Sequence, residues 1–488
     1  MKTIKHLLTA LLLLCATVAT AYDFEVDGIY YNFGFTNKTV AVTYRGSSNN
    51  SEKYSGAVTI PASVTYNGTT YSVKSIERKA FSGCSNLTSV TIPNSVTYIG
   101  GYAFQYCSSL ASITIPNSVT TIGDWAFYNC SSFTSVTIPN SVTTIQEYAF
   151  YGCSSLASVT IPNSVTTIGS YAFQYCSSLK EVHITDIAAW CNIDFSNYYS
   201  NPLYYAKNLY LNGELVTNLV IPDGVTKIKY SAFYGCSSLT SVTIPNSVTT
   251  IGDWAFYNCS SLASVTIPNS VTTIGYRAFY DTAWYNNQPD GVVYAGKVLW
   301  GYKGTMPANT TITIKDGTLG IAGYAFQYCS SLTSVTIPNS VTTIGSNAFD
   351  GCSSLTSVTI GNSVTTIGEY AFADCSSLES LTIPNSVITI EGCAFYNCTS
   401  LKEVYSKAEI FARISSDTFY GCYNATLYVP KGSKKAYQTA EYWSDFANIV
   451  EFEPEEDEDE SIFGDLNGDG LVNIGDITIL VNVILGKD

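Results

Sequence analysis

The residues best spaced for chemistry lie in GDLNGDGLVNIGDITILVNVILGKD at the C-terminal end. Counting from Asp465, side-chain oxygens fall at positions 1, 3, 5, 9 and 12 (Asp465, Asn467, Asp469, Asn473, Asp476), the carbonyl of Leu471 at position 7, and Gly470 at the sharp sixth position. A hard divalent cation requires oxygen ligands converging from one short loop, and this spacing supplies them. One bound Ca2+ is therefore expected, with Asp476 where a Glu is usual. The apolar set Ile477, Leu480, Val481 and Ile484 follows at helical spacing, although Ile and Val are only moderate helix formers.

The rest of the chain offers little to a catalyst. His183, with Glu181 two residues before it, reads as a solvated pair, since no nucleophile motif, metal-ligand cluster or phosphate loop accompanies it. A facing carboxylate pair would need no motif, but only 12% of residues are charged. The expectation is a non-enzyme. The formal charge of −15 is concentrated: Glu451 to Glu460 carries eight acidic residues and no base. No basic stripe exists to attract nucleic acid.

Aromatic residues are the second candidate. Tyr102, Trp125, Tyr148, Tyr171, Trp254, Tyr324 and Tyr370 each precede an Ala-Phe pair, and Tyr128, Tyr151, Tyr234, Tyr257, Tyr280 and Tyr396 each follow one. Tyr and Trp offer large contact area with a polar tip. Two readings stand: ladders that shield the edge of a core, or a strip that binds proteins or glycans.

The elements that must position these residues repeat. Ala-Phe recurs at Phe81, Phe104, Phe127, Phe150 and Phe173, again at Phe233, Phe256 and Phe279, and again at Phe326, Phe349, Phe372 and Phe395, every 23 residues within each series. Such a period means a solenoid in which each coil buries its apolar face only against its neighbours. Within a unit, Leu156, Val159, Ile161 and Pro162 alternate as a half-buried strand and its stop should. Val165, Ile168 and Gly169 read as the turn of the coil, and Ala-Phe-x-x-Cys as the opposite wall. The strand's outward positions, such as Ser135, Thr137, Ser158 and Thr160, form hydroxyl rows. Cysteines at 84, 107, 130, 153, 176, 236, 259, 329, 352, 375, 398 and 422 share one register. Equivalent residues of stacked coils lie about 4.8 Å apart and point the same way, whereas a disulfide needs facing Cβ atoms. A buried ladder of free thiols, with weak donors turned to loop carbonyls, is expected. Cys191 and Cys393 fall out of register.

The unit C-x-x-L-x-x-V-x-I-P-x-x-V-x-x-I-x-x-x-A-F resembles the BspA-like class of leucine-rich repeats over roughly residues 59–425. That resemblance implies a β-rich, curved, right-handed solenoid with parallel strands on its inner face. It also implies surface or secreted roles such as adhesion to host matrix proteins or to other bacterial cells. The cation loop with one following helix resembles a single dockerin type I repeat, a small EF-hand-like α segment, which implies docking onto a cohesin module; dockerins carry two such repeats, and here there is one. Residues 1–21, with Lys2, Lys5, the apolar run from Leu7 and Ala19-Thr20-Ala21, read as a secretory signal peptide. No stretch is long enough for a transmembrane anchor. The expected order is signal peptide 1–21, N-terminal cap 22–58, repeats 59–425, C-terminal cap 426–450, acidic linker 451–461 and calcium repeat 462–488. Aromatic-rich stretches near 185–220 and 281–321 interrupt the period, the first as a coil with an inserted loop and the second as a degenerate coil.

Overall fold

The computed structural model describes residues 22–34, 36–44 and 54–453. The expected signal peptide, most of the acidic linker and the whole calcium repeat lie outside these residues.

Each coil has three sides, and each side is tied to the next coil by backbone hydrogen bonds. On the first, the Ser-Val-Thr strands pair in parallel at the repeat register: Ser135, Val136 and Thr137 lie beside Ser158, Val159 and Thr160, which lie beside Glu181, Val182 and His183. The middle residue points inward and the two hydroxyls outward, as the pleat dictates. The second side differs from the sequence expectation. The Val-Thr-Thr-Ile-Gly stretch is not a turn but a second, two-residue parallel strand, with Thr144 and Ile145 beside Thr167 and Ile168. The turn sits instead at Pro-Asn-Ser, where the Val165 amide donates to the Pro162 carbonyl at 3.1 Å.

The third side, the turn face, carries Ala-Phe. Phe104 N donates to Ala126 O at 2.7 Å and Phe127 N to Ala149 O at 2.8 Å, with two further intercoil bonds flanking each. The inward Phe rings form a spine: Phe81, Phe104, Phe127, Phe150 and Phe173 stack at centroid distances of 5.0, 5.2, 5.3 and 5.4 Å. A second run joins Phe326, Phe349, Phe372, Phe395 and Phe419. All of these rings are fully buried.

The fourteen described cysteines are unbridged. In most coils the thiol donates to the Phe carbonyl of the preceding coil, as Cys107 to Phe81 O at 3.0 Å, Cys130 to Phe104 O at 3.0 Å, Cys153 to Phe127 O at 3.2 Å and Cys398 to Phe372 O at 3.2 Å. The repeated serine of Pro-Asn-Ser works likewise: Ser164 Oγ donates to Val142 O and Ser270 Oγ to Val248 O, each at 2.8 Å. Small donors at a fixed register thus satisfy carbonyls that a solenoid would otherwise bury unpaired.

Both interruptions keep the winding. In the first, a helix at Ile187–Cys191, capped by Asp186, and a helix at Leu203–Ala206 replace the usual turns. Leu209–Leu211 still pairs in parallel with the strand of Val182. Cys191 is a core plug of the first helix, and buried Asn201 anchors the second through Ser231 O at 2.7 Å. In the second interruption, a helix at Ala283–Asn286 precedes an antiparallel hairpin of Gly291–Ala295 and Val298–Lys303. Antiparallel strands Phe24–Val26, Ile29–Phe33 and Thr39–Thr43 cover the first coil. At the other end Asn448–Phe452 pairs with Thr426–Pro430, and Trp443 Nε1 donates to Ala412 O at 2.9 Å.

Candidate functional site

The residue before each Ala-Phe pair takes a left-handed backbone, because the chain must reverse there while its amide still reaches the next coil. Tyr102 has φ 61°, Trp125 61°, Tyr148 54°, Tyr171 60°, Trp254 59°, Tyr324 62° and Tyr370 55°. For a non-glycine residue this conformation costs roughly 1–2 kcal/mol. The aromatic side chains stand out from the coil and stack on one another. Tyr102 and Trp125 are 5.6 Å apart, Trp125 and Tyr148 4.2 Å, Tyr148 and Tyr171 5.1 Å, with interplanar angles of 8°, 19° and 25°. Arg78 caps the end, 4.5 Å from the Tyr102 ring.

A second row runs alongside. Tyr128 and Tyr151 stack at 4.8 Å, Tyr234 and Tyr257 at 5.0 Å, and Tyr257 and Tyr280 at 6.0 Å. Cross-contacts such as Trp125 to Tyr128 at 4.6 Å weld the rows into one strip. Burial first, then neighbouring phenols for Tyr128 and Tyr151 and the Asp281 carboxylate for Tyr257, raise these pKa values above the ordinary one, and the hydroxyls are neutral donors at physiological pH.

Six of the seven sequence-predicted aromatics are brought into this strip, and its continuity depends on residues the repeat pattern did not single out. The gap between Tyr171 and Trp254 is filled by the first interruption: Tyr199 stacks on Tyr171 at 5.9 Å, Tyr198 on Tyr199 at 4.2 Å, and Trp254 on Tyr198 at 5.9 Å. Tyr276 then bridges Trp254, at 5.7 Å, to Tyr324, at 4.3 Å. Tyr370 stands apart, separated by Asn347 at the same register, and its neighbour in the row is Cys393, which explains why that cysteine fell out of the thiol register.

On the strand face the hydroxyl rows remain in solvent, with His183 an exception. Its Nε2 is 3.0 Å from Glu181 Oε2, and its ring stacks on Tyr210 at 4.9 Å. Among the described residues no group of three or more His, Cys, Asp or Glu side chains is placed to hold a metal. Asp465, Asn467, Asp469, Leu471, Asn473 and Asp476 lie outside the described residues. No helix among the described residues is long and apolar enough to cross a membrane.

Short coils joined by parallel strands, with an apolar ladder inside, define a leucine-rich-repeat solenoid. Residues 74–200, 206–288 and 306–440 match the BspA type leucine rich repeat region in six copies, well over half of the chain, and the chain belongs to that family. Among solved structures, a leucine-rich repeat protein from Bacteroides ovatus is 29% identical, covering 88% of this chain and 100% of its own, with a TM-score of 0.38. A leucine rich cell surface protein from Faecalibacterium prausnitzii is 28% identical, covering 87% and 97%, with a TM-score of 0.35. None of the curated proteins matches the chain.

Proposed function

We propose that this chain is a non-catalytic binding protein, secreted or held at the cell surface after removal of its signal peptide, that engages host matrix or bacterial surface proteins or glycans: an adhesin in the broad sense. The observation that carries the reading is the continuity of the aromatic strip from Tyr102 to Tyr324 across both a coil boundary and an insertion. A ladder that only shielded the core would not need tyrosines from an out-of-register loop to bridge its gap. From Tyr102 to Tyr171 each ring's face rests on its neighbour, so edges and phenolic hydroxyls are what solvent meets there. Edges and hydroxyls suit the carbonyls and polar side chains of a protein partner.

The test is binding of the protein to immobilised matrix glycoproteins and to bacterial surfaces. Trp125→Ala with Tyr148→Ala is expected to weaken capture about tenfold or more without loss of fold. Unchanged binding of every partner would remove the strip from consideration.

A second reading rests on the oxygen spacing of Asp465 to Asp476. In it the tail binds one Ca2+ and delivers the solenoid to a cohesin-like module in a polysaccharide-degrading assembly. Cohesin capture that needs calcium and is abolished by Asp469→Ala with Asp476→Ala supports it. Capture that survives a chelator rules it out.

A further inference from the structure

The aromatic strip opens at one place. Where the second interruption rejoins the coils, Tyr285 from the helix at Ala283–Asn286 and Trp300 from the strand at Val298–Lys303 rise beside Tyr276, Arg277, Tyr280 and Tyr324. Together they enclose a cleft of about 180 Å³. Ring geometry changes here. Tyr285 and Trp300 meet at 90° with centroids 5.0 Å apart, Tyr276 and Tyr324 at 47° and 4.3 Å, and Tyr280 and Tyr285 at 34° and 5.4 Å. Rings at these angles no longer tile face on face, and cations take part in the wall: Arg277 lies over Tyr276 and Tyr280, and Lys303 Nζ lies 5.7 Å from the Tyr285 ring.

Arg277 occupies the register that Trp254 and Tyr324 occupy in their coils, with φ 52°. Its guanidinium carbon lies 5.4, 4.9 and 5.2 Å from the ring centroids of Trp254, Tyr276 and Tyr280. Three rings hold the cation in place yet supply no acceptor for its N–H groups, and no ion pair or side-chain hydrogen bond to Arg277 occurs among the described residues. The neighbouring charges are already engaged. Lys303 Nζ donates to Asn286 O at 2.7 Å and Gln288 O at 2.5 Å. Asp253 Oδ1 accepts from the Tyr276 amide at 2.7 Å, and the Asp281 carboxylate lies near the Tyr257 and Tyr285 phenols, whose pKa it raises. Asp290 lies against Gly304 at the open end of the hairpin, within electrostatic reach of Tyr285.

We propose that this cleft binds a single sugar residue bearing a carboxylate, of the uronic acid kind, within an acidic glycan. The aromatic lining of the cleft suits the C–H face of a pyranose, and the planar guanidinium offers a carboxylate two parallel donors. The volume is well below the ~300–1,000 Å³ of drug-sized ligand sites, which fits one ring rather than a chain segment. The proposal rests on the reading of the turn face as the binding surface, but its deciding residues, Arg277, Tyr285 and Trp300, are not part of the Tyr102 to Tyr171 stack.

The experiment titrates the full chain with oligogalacturonate, with a neutral galactan oligosaccharide of matched length, and with an oligoglutamate peptide, following tryptophan fluorescence and heat. Oligogalacturonate is expected to bind at least about tenfold more tightly than the other two, and to weaken with added salt. Arg277→Asn, a residue that Asn347 shows this register accepts, should erase that preference. Arg277→Lys should keep part of it. Trp125→Ala with Tyr148→Ala should leave it intact, so failure of the ladder in protein capture and failure of the cleft are separately visible. Equal binding of the neutral oligosaccharide, no saccharide binding at millimolar concentration, or an unchanged preference in Arg277→Asn would overturn the proposal. Oligoglutamate binding as tightly as oligogalacturonate would overturn it in favour of an acidic peptide.

Discussion

The strand face and the turn face are written by the same 23-residue unit, yet they select side chains by opposite rules. On the strand face Ser and Thr sit where a half-exposed strand favours small and β-branched residues, so backbone preference and residue type agree. On the turn face Tyr and Trp sit at positive φ, where Gly or Asn would be easier. The strand face is what the backbone asks for, whereas the turn face is chosen in spite of it. Side chains kept against a local preference are held by what they touch, either each other or a partner.

Four measurements can break or sharpen that contrast. The largest effect is expected beneath the turn face: Phe127→Ala removes a fully buried ring of the spine and should cost about 3–5 kcal/mol in denaturant unfolding. Ser135→Ala with Thr137→Ala on the strand face should change stability by no more than about 0.5 kcal/mol. If the two variants unfold alike, the apolar spine is not what holds the coils.

Counted per thiol and per pH unit, alkaline pH should come next. Burial pushes the Cys130 thiol from 9.0 to about 12, Cys191 to about 12 and Cys236 to about 11. A thiol whose folded pKa is raised contributes stability that is complete below the unfolded value and lost as pH climbs toward the folded one. Stability should therefore fall between about pH 9 and pH 12, by up to about 1.4 kcal/mol per pH unit for each thiol. Urea midpoints across that range give the slope, and Cys130→Ala should make it shallower. A flat profile would mean that the thiols already titrate in the folded protein.

A smaller change is expected in affinity. Trp125→Ala with Tyr148→Ala should lower protein capture about tenfold, near 1.4 kcal/mol, while the strand-face pair of substitutions leaves it unaltered. The reverse result would move the binding role to the hydroxyl rows. The smallest effect is Tyr148→Gly. Glycine relieves a backbone at φ 54° by roughly 1 kcal/mol, and the lost stacking costs about 0.5–1.5 kcal/mol. Thermal unfolding should shift little, and a large drop would show that the ladder itself is a main source of stability.

Much of this architecture was legible because the repeat is long and regular. The spacing of Ala-Phe and of cysteine located the spine and the thiol ladder, and alternation located the Ser-Val-Thr strand. The Thr-Ile strand was hidden, because two residues are too few to show alternation. Tyr198, Tyr199 and Tyr276 were hidden for another reason: the first two enter the strip from the out-of-register insertion, and Tyr276 sits one position before the ladder register, where the preceding coil carries Asp253. Arg277 carried a signal that was readable in principle, since Arg277-Ala278-Phe279 puts a guanidinium where other coils put a ring. The expected calcium loop, residues 465–476, rests on spacing alone and lies outside the described residues.

The ladder of unbridged thiols has a consequence for time rather than for energy. In an oxidising compartment, a chain with so many cysteines at one register could scramble into wrong bridges before it winds. Its protection lies in the shortness of the search. Within each series a coil meets neighbours 23 residues away along the chain, and contacts so near in sequence close sooner than distant ones, whereas disulfides form over seconds to hours. Once a coil is wound, its buried thiol faces a Phe carbonyl and packed rings, away from any oxidant.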